Sequence, residues 1–218
     1  MKVLVISAAY PPMHAGEATN TYHLCRQLTE RGIDIHVLTS VGNVGTDDPR
    51  IRVYPIMQTW GWLELLRVRC FLKNCSPDAV FLMYIGLMYK FHPMVTFLPT
   101  LSKGLFPNVP FVTRYESAFV GADPSKTGIV SRLFRKLMVQ WAGGKDVAYS
   151  SGTLLRDSDA VIALRERHRA MLLEEWPPVS QKVALIPPPP NLFIASNAGG
   201  MARERGRTRL GVTAGEFV

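Results

Sequence analysis

Apolar positions along the chain fall into short runs alternating with stretches of helical spacing. Residues 2–7, KVLVIS, form a continuous β-branched run, the pattern of a strand buried on both faces. Over 18–31 the side chains Tyr22, Cys25 and Leu28 recur at a helical interval, and Gly32 is placed to end that helix. IDIHVLT (33–39) reads as a second strand, GNVGTDDP (42–49) as turn chemistry, and IRVYPI (51–56) as a third strand. The pattern then predicts a helix over 62–73, a strand in DAVFLMY, a helix over 93–103 and a strand in VPFVTRY that ends at Arg114 and Tyr115. A basic amphipathic helix over 128–141, a strand in DAVIAL, a helix over about 165–175 and a strand in KVALIP complete the order. Alternation of this kind predicts the α/β class: a Rossmann-like, doubly wound, mainly parallel sheet with helices on both faces. Right-handed crossovers then put a ligand at the carboxyl ends of the strands. The chain shows no internal repeat. After Asn191 the composition turns Gly- and Arg-rich (NAGGMARERGRTRLG), which divides a domain over 1–193 from a linker-like segment over 194–218.

Composition narrows the function classes. A hydrophobic fraction of 47% and a charged fraction of 19% suit a globular protein with a real core. The net charge of +8 suggests anionic partners (nucleic acid, acidic lipid or phosphorylated small molecules) or serves solubility alone. No helix-turn-helix, zinc or RNA-binding signature is present, so no nucleic-acid partner is expected. Cys25, Cys70 and Cys75 make an odd count, and the C-x4-C pair lacks a second pair to complete a zinc site. Cys25 reads as core, and the set implies a reducing compartment without disulfides. The most apolar region, 79–101, is interrupted by Lys90, His92 and two prolines. Its uninterrupted part is about half the length that spans a bilayer, so no transmembrane helix is predicted. The N-terminal apolar run is too short for a signal peptide, and a cytoplasmic location is expected.

The candidate chemistry starts in ISAAYPPMHAGEATNTYHLCRQL (6–28). The first strand ends near Tyr10, the first helix starts near Ala18, and Gly16 lies just before it. Backbone N–H groups and the helix dipole favour an anion there, and a glycine lets a phosphate reach the backbone. A plain turn glycine is the alternative. There is no G-x-G-x-x-G, and AGGKDV (142–147) lacks the upstream glycine and the Ser/Thr of a P-loop. His14 sits in the same loop, near an acceptor or simply exposed. Glu17 falls in the first helical turn, where a carboxylate suits the dipole whether or not it is catalytic. His36 alternates within the second strand and reads as structural. In GIVSRLFRKLMVQW (128–141), Ile129, Leu133, Leu137 and Trp141 form one stripe, flanked by Arg132, Arg135 and Lys136. That composition fits an interfacial helix on anionic lipid, or a core helix with a solvated basic face.

Five segments in order carry a family resemblance: the Pro-rich, Gly-containing loop after the first strand, ERGIDIHVLTS (30–40), SDAVIAL (158–164), IPPPPNLF (186–193) and RTRLGVTAGEFV (207–218). Over nearly its full length the chain resembles the N-terminal, acceptor-side domain of the family 4-like glycosyltransferases of the GT-B fold. The resemblance implies a retaining transferase that moves a sugar from a nucleotide-sugar to a glycan or lipid-linked acceptor, as in polysaccharide biosynthesis. It implies no metal and no cofactor beyond that co-substrate. Gly16, with Ala15 and Glu17, would face the donor diphosphate, while His14, Arg114, Tyr115 and Glu116 would line the acceptor site. Three departures stand out: TRYES (113–117) where the family often has Thr-x-His, Leu164 where it has serine, and PPPP in place of an Asn-Gly turn.

The family's C-terminal donor-binding domain, with its paired-glutamate motif and basic pair, has no counterpart here. The expectation is a chain that stops at the start of that missing domain, or needs a partner chain, and has little activity alone. With a lipid-linked acceptor, Arg132, Arg135 and Lys136 would meet the inner face of an anionic membrane. The alternative reading is a non-catalytic Rossmann-like binding module, either a remnant or a subunit of a split transferase.

Overall fold

A computed structural model of the chain describes residues 1–43, 48–116, 129–144, 147, 151–188, 205–209 and 211. The chain divides into two compact units, Met1–Pro188 and Pro189–Val218. Parts of the predicted turn at 42–49, Gly128, Lys145, residues 189–193 of IPPPPNLF, the segment 194–204 and most of the 207–218 motif lie outside the described residues.

Seven strands form one sheet: β1 (Lys2–Ile6), β2 (Asp34–Ser40), β3 (Ile51–Met57), β4 (Ala79–Tyr84), β5 (Phe111–Tyr115), β6 (Ala160–Ala163) and β7 (Val183–Leu185). Their order is β3-β2-β1-β4-β5-β6-β7, and every neighbouring pair is parallel. The fold is thus a Rossmann-like α/β sheet, and the sheet predicted as mainly parallel is wholly so. The helices are α1 (Gly16–Glu30), α2 (Glu64–Cys75), α3 (Leu98–Leu105), α4 (Ile129–Trp141), α5 (Leu154–Asp157) and α6 (Glu166–Glu175). Short 3-10 turns at Gly86–Tyr89, Pro93–Phe97 and Pro177–Gln181 join them. The first and last of these, and α5, carry no periodic signal. The helix predicted over 93–103 is a 3-10 turn leading into α3.

Strand alternation sorts the core onto two faces. Val3, Val5, Ile35 and Val37 meet Cys25 of α1 on one face. On the other, Leu4, Leu38, Val80, Leu82 and Val161 meet α2, α3, α5 and α6 through Leu72, Leu98, Leu155 and Leu172. α1 ends as its sequence predicts. Gly32 takes φ +78°, its N–H donates to the Thr29 carbonyl (2.9 Å), and the Ile33 N–H donates to that of Leu28 (3.2 Å). A left-handed residue closing the last turn in this way favours glycine. The buried face of α1, however, is Ala18, Thr21, Cys25 and Thr29; Tyr22 and Leu28 flank it, half-buried. Small side chains let the helix lie close to the sheet. All three cysteines are free, and burial pushes the Cys25 thiol up.

α4 departs from the core-helix reading. Its stripe of Ile129, Leu133, Leu137 and Trp141 is the exposed side of the helix, and the buried residue at its end is Ala142.

Candidate site at the carboxyl edge of the sheet

Because all strands run the same way, their carboxyl ends share one edge. β1 lies between β2 and β4, and the chain winds outward from it in both directions. This reversal point is where an open α/β sheet leaves a crevice. The loop that follows β1 is held rigidly there. The Ser7 N–H donates to the Leu38 carbonyl at 3.1 Å. The Ala8 carbonyl accepts from Ser40 Oγ (2.9 Å) and Asn43 Nδ2 (3.0 Å), and Ser40 Oγ in turn accepts from Trp60 Nε1 (3.0 Å). Ser7 Oγ donates to the Ala9 carbonyl (2.8 Å), and Tyr10 is fully buried behind the loop. Ser40 and Asn43 were not singled out in the sequence; a Ser and an Asn just past a strand end, in turn chemistry, were the available signal.

Ala15 is extended (φ −141°), so α1 begins at Gly16, two residues before the spacing predicts. No side chain caps this end, Glu17 lies in its first turn, and Gly16 is exposed. An exposed helix start without a side-chain cap leaves its N–H groups to solvent or a ligand anion. His14 is exposed beside it.

β5 supplies the second wall. Arg114 is only 6% exposed and forms an ion pair with Glu116, whose N–H donates to the Tyr84 carbonyl at 3.1 Å. Burial pulls the Arg114 guanidinium down, opposed by the carboxylates of Glu116 and Glu17. Burial likewise pushes the Glu116 carboxyl up, opposed by Arg114 and reinforced by Glu17. Glu17 of α1 thus lies within electrostatic reach of the β5 pair. Arg114 Nε is buried with no hydrogen-bond partner, an unused donor beside the crevice.

The other expected residues are placed differently. Tyr115 points to the opposite face of β5 from Arg114. Its ring is buried in the core and stacks on Tyr84 at 5.5 Å, and burial pushes its phenol up. Strand alternation sets it on the face opposite Arg114, among the core aromatic rings. Arg132, Arg135 and Lys136 lie on α4. Among the described residues no three His, Cys, Asp or Glu side chains are placed to hold a metal ion, and no helix is long and apolar enough to cross a membrane.

No family model and no curated protein matches the sequence. Solved structures do. The glycosyltransferase from Rickettsia africae ESF-5 is 12% identical with a TM-score of 0.56, over 98% of this chain and 50% of that one. UDP-GlcNAc 2-epimerases from Methanocaldococcus jannaschii (14% identical, TM-score 0.49) and Neisseria meningitidis, bound to UDP-GlcNAc (16%, 0.48), are covered over 45% of their length by 85% of this chain. The chain therefore spans about half the length of these proteins. Its seven-stranded sheet is a Rossmann-like α/β fold similar to that of a glycosyltransferase.

Proposed function

We propose that the chain is the acceptor-binding half of a glycosyltransferase that moves a sugar from a nucleotide-sugar to a glycan or lipid-linked acceptor. The observation that supports this reading best is the uncapped α1 start at Gly16, after β1 at the reversal point, with Glu17 within electrostatic reach of the buried Arg114–Glu116 pair. The donor diphosphate would lie over Ala15, Gly16 and Glu17, where helix N–H groups complement negative charge. Glu116 and His14 offer acceptors and donors to sugar hydroxyls, and the Arg114 Nε–H has a donor to spare. Retention of configuration, and a chemistry without metal, follow from the family 4-like resemblance. In this reading a donor-binding domain holds most of the nucleotide-sugar and supplies the cations that neutralise the leaving diphosphate.

The test is an amide chemical-shift titration of the 218-residue chain with uridine and guanosine diphosphates. Shifts centred on Ala15, Gly16 and Glu17, and their loss in Gly16→Val with the rest of the spectrum retained, are expected. If no nucleoside diphosphate moves these amides, the reading fails. Efficient sugar transfer by this chain alone would overturn its dependence on a donor-binding domain.

A further inference from the structure

α4 turns its apolar side to solvent. Ile129 is 76% exposed, Leu133 58%, Leu137 60% and Trp141 51%. A helix packed on a core shows the reverse. Around the helix, at 100° per residue, Phe134, Met138 and Trp141 come first, then Leu137, Leu133 and Ile129, then Lys136 and Arg132. The first three form one wall of a groove of about 510 Å3, whose far wall includes Leu63 and Leu66 at the start of α2 and whose floor includes Leu101 of α3. Leu63 and Leu66 are themselves exposed, so one apolar surface runs from α4 across the groove to α2.

The rim of this surface is cationic. α4 contributes Arg132 and Lys136 and contains no acid, while Arg135, half-buried, lies on the far side of the helix from the stripe. α2 contributes Arg69 at the groove margin, and its one acid, Glu64, is buried and bonded to Arg67 at 2.7 and 2.9 Å. Trp141 sits at the boundary between groove and solvent, the level at which tryptophan is enriched in membrane interfaces.

We propose that this face docks on an anionic phospholipid bilayer. Leu133, Leu137 and Leu66 enter the acyl region, the groove takes up an acyl chain, and Arg69, Arg132 and Lys136 lie level with the lipid phosphates. Charge selects this occupant over a second copy of the chain. A two-fold contact would set the same cationic rim against itself, whereas a phosphate surface complements it. The inference stands independently of the transferase reading, because no residue of the carboxyl-edge site takes part.

The experiment is co-sedimentation of the 218-residue chain with vesicles of phosphatidylcholine alone or mixed equally with phosphatidylglycerol, at low and high salt. The chain should pellet with the anionic vesicles, not with the neutral ones, and less so at high salt. Leu133→Ser with Leu137→Ser should weaken binding by at least about tenfold, since both leucines would otherwise leave water. Arg132→Gln with Lys136→Gln should weaken it on anionic vesicles. The substituted side chains are exposed, so an unchanged urea midpoint should confirm that each variant is folded. Three results would overturn the proposal: no sedimentation at low salt, sedimentation untouched by the leucine pair, which would be net charge alone, or a dimer in sedimentation equilibrium that the leucine pair dissolves.

Discussion

The two faces of the sheet are covered unequally. α2, α3, α5 and α6 bury Val80, Leu82, Phe111 and Val161 completely on one face. Within the first unit α1 is the one described helix on the other face, where it packs over β1, β2 and β3 through Val3, Val5, Ile35, Val37 and Val53. Right-handed crossovers explain the asymmetry: only the β1-to-β2 step carries a helix in the opposite direction from the steps leading to β4, β5, β6 and β7. Over β4 to β6 the α1 face holds Phe81, Val112, Ala160 and Ile162, all half-buried, with Met83 and Arg114 buried toward the carboxyl edge. An antiparallel sheet with a solvated face would place polar residues there; these are apolar. The runs AVFLMY and AVIA therefore have the chemistry of strands buried on both faces, while on the α1 face Phe81, Ala160 and Ile162 are only half-buried.

The sharpest test of this difference is a pair of truncations. Leu82→Ala, on the crowded face, should cost about 3–4 kcal/mol of unfolding free energy, because a fully enclosed site leaves a cavity. Ile162→Ala, on the thinly covered face, should cost about half as much, since solvent already reaches its side chain. Urea denaturation measures both. Equal costs would break the comparison, showing that Ile162 is enclosed in solution.

Crowding can also be probed by adding an atom. Gly152 has φ +54°, and a Cβ there would lie 2.1 Å from Thr96 Oγ1 and 2.7 Å from Thr96 Cβ. Thr96 cannot easily yield, because its carbonyl accepts from both the N–H (3.0 Å) and the hydroxyl (2.9 Å) of Thr153. Gly152→Ala should cost about 2–3 kcal/mol, from the clash and the left-handed backbone together. A drop in melting temperature without loss of the far-ultraviolet spectrum is the expected signature. A neutral substitution would show that the 93–97 turn can move aside.

All seven strands, their order along the chain and the Gly32 helix end could be read from local pattern, because β-branched runs and a terminal glycine act within a few residues. The unequal cover could not. It depends on strand order, which periodicity does not encode, and on α4 presenting its stripe outward. A moment marks two environments without saying which is water. The site was legible in part. Gly16 and Glu17 follow from a strand-loop-helix signal, but the coupling of Glu17 to Arg114 and Glu116 joins segments distant in sequence. Tyr115 ends β5 as the pattern predicts, but its burial in the core was not legible, since the short run FVTRY does not say which alternate positions face the core.

The crowded face also buries an imidazole, and its titration gives the smallest of the expected effects. His36 Nδ1 lies 3.0 Å from the Tyr54 hydroxyl, Nε2 lies 3.3 Å from Asp34 Oδ2 and 3.4 Å from Arg52, and the ring stacks on Tyr54. Burial pulls its pKa below the ordinary 6.5, more than Asp34 raises it, with Arg52 and Lys2 adding to the fall. A histidine held neutral in the folded state contributes stability that is complete above 6.5 and is lost as pH falls toward the folded value. Stability should therefore decline between pH 7 and about pH 5, and His36→Gln should flatten part of that slope. His92 and His168 are pulled down by burial as well, so the readout is the difference between the two slopes, in which their contributions cancel. Identical slopes would mean that the charged ring finds water or Asp34 at little cost, and that this corner of the crowded face is as open as the face beneath α1.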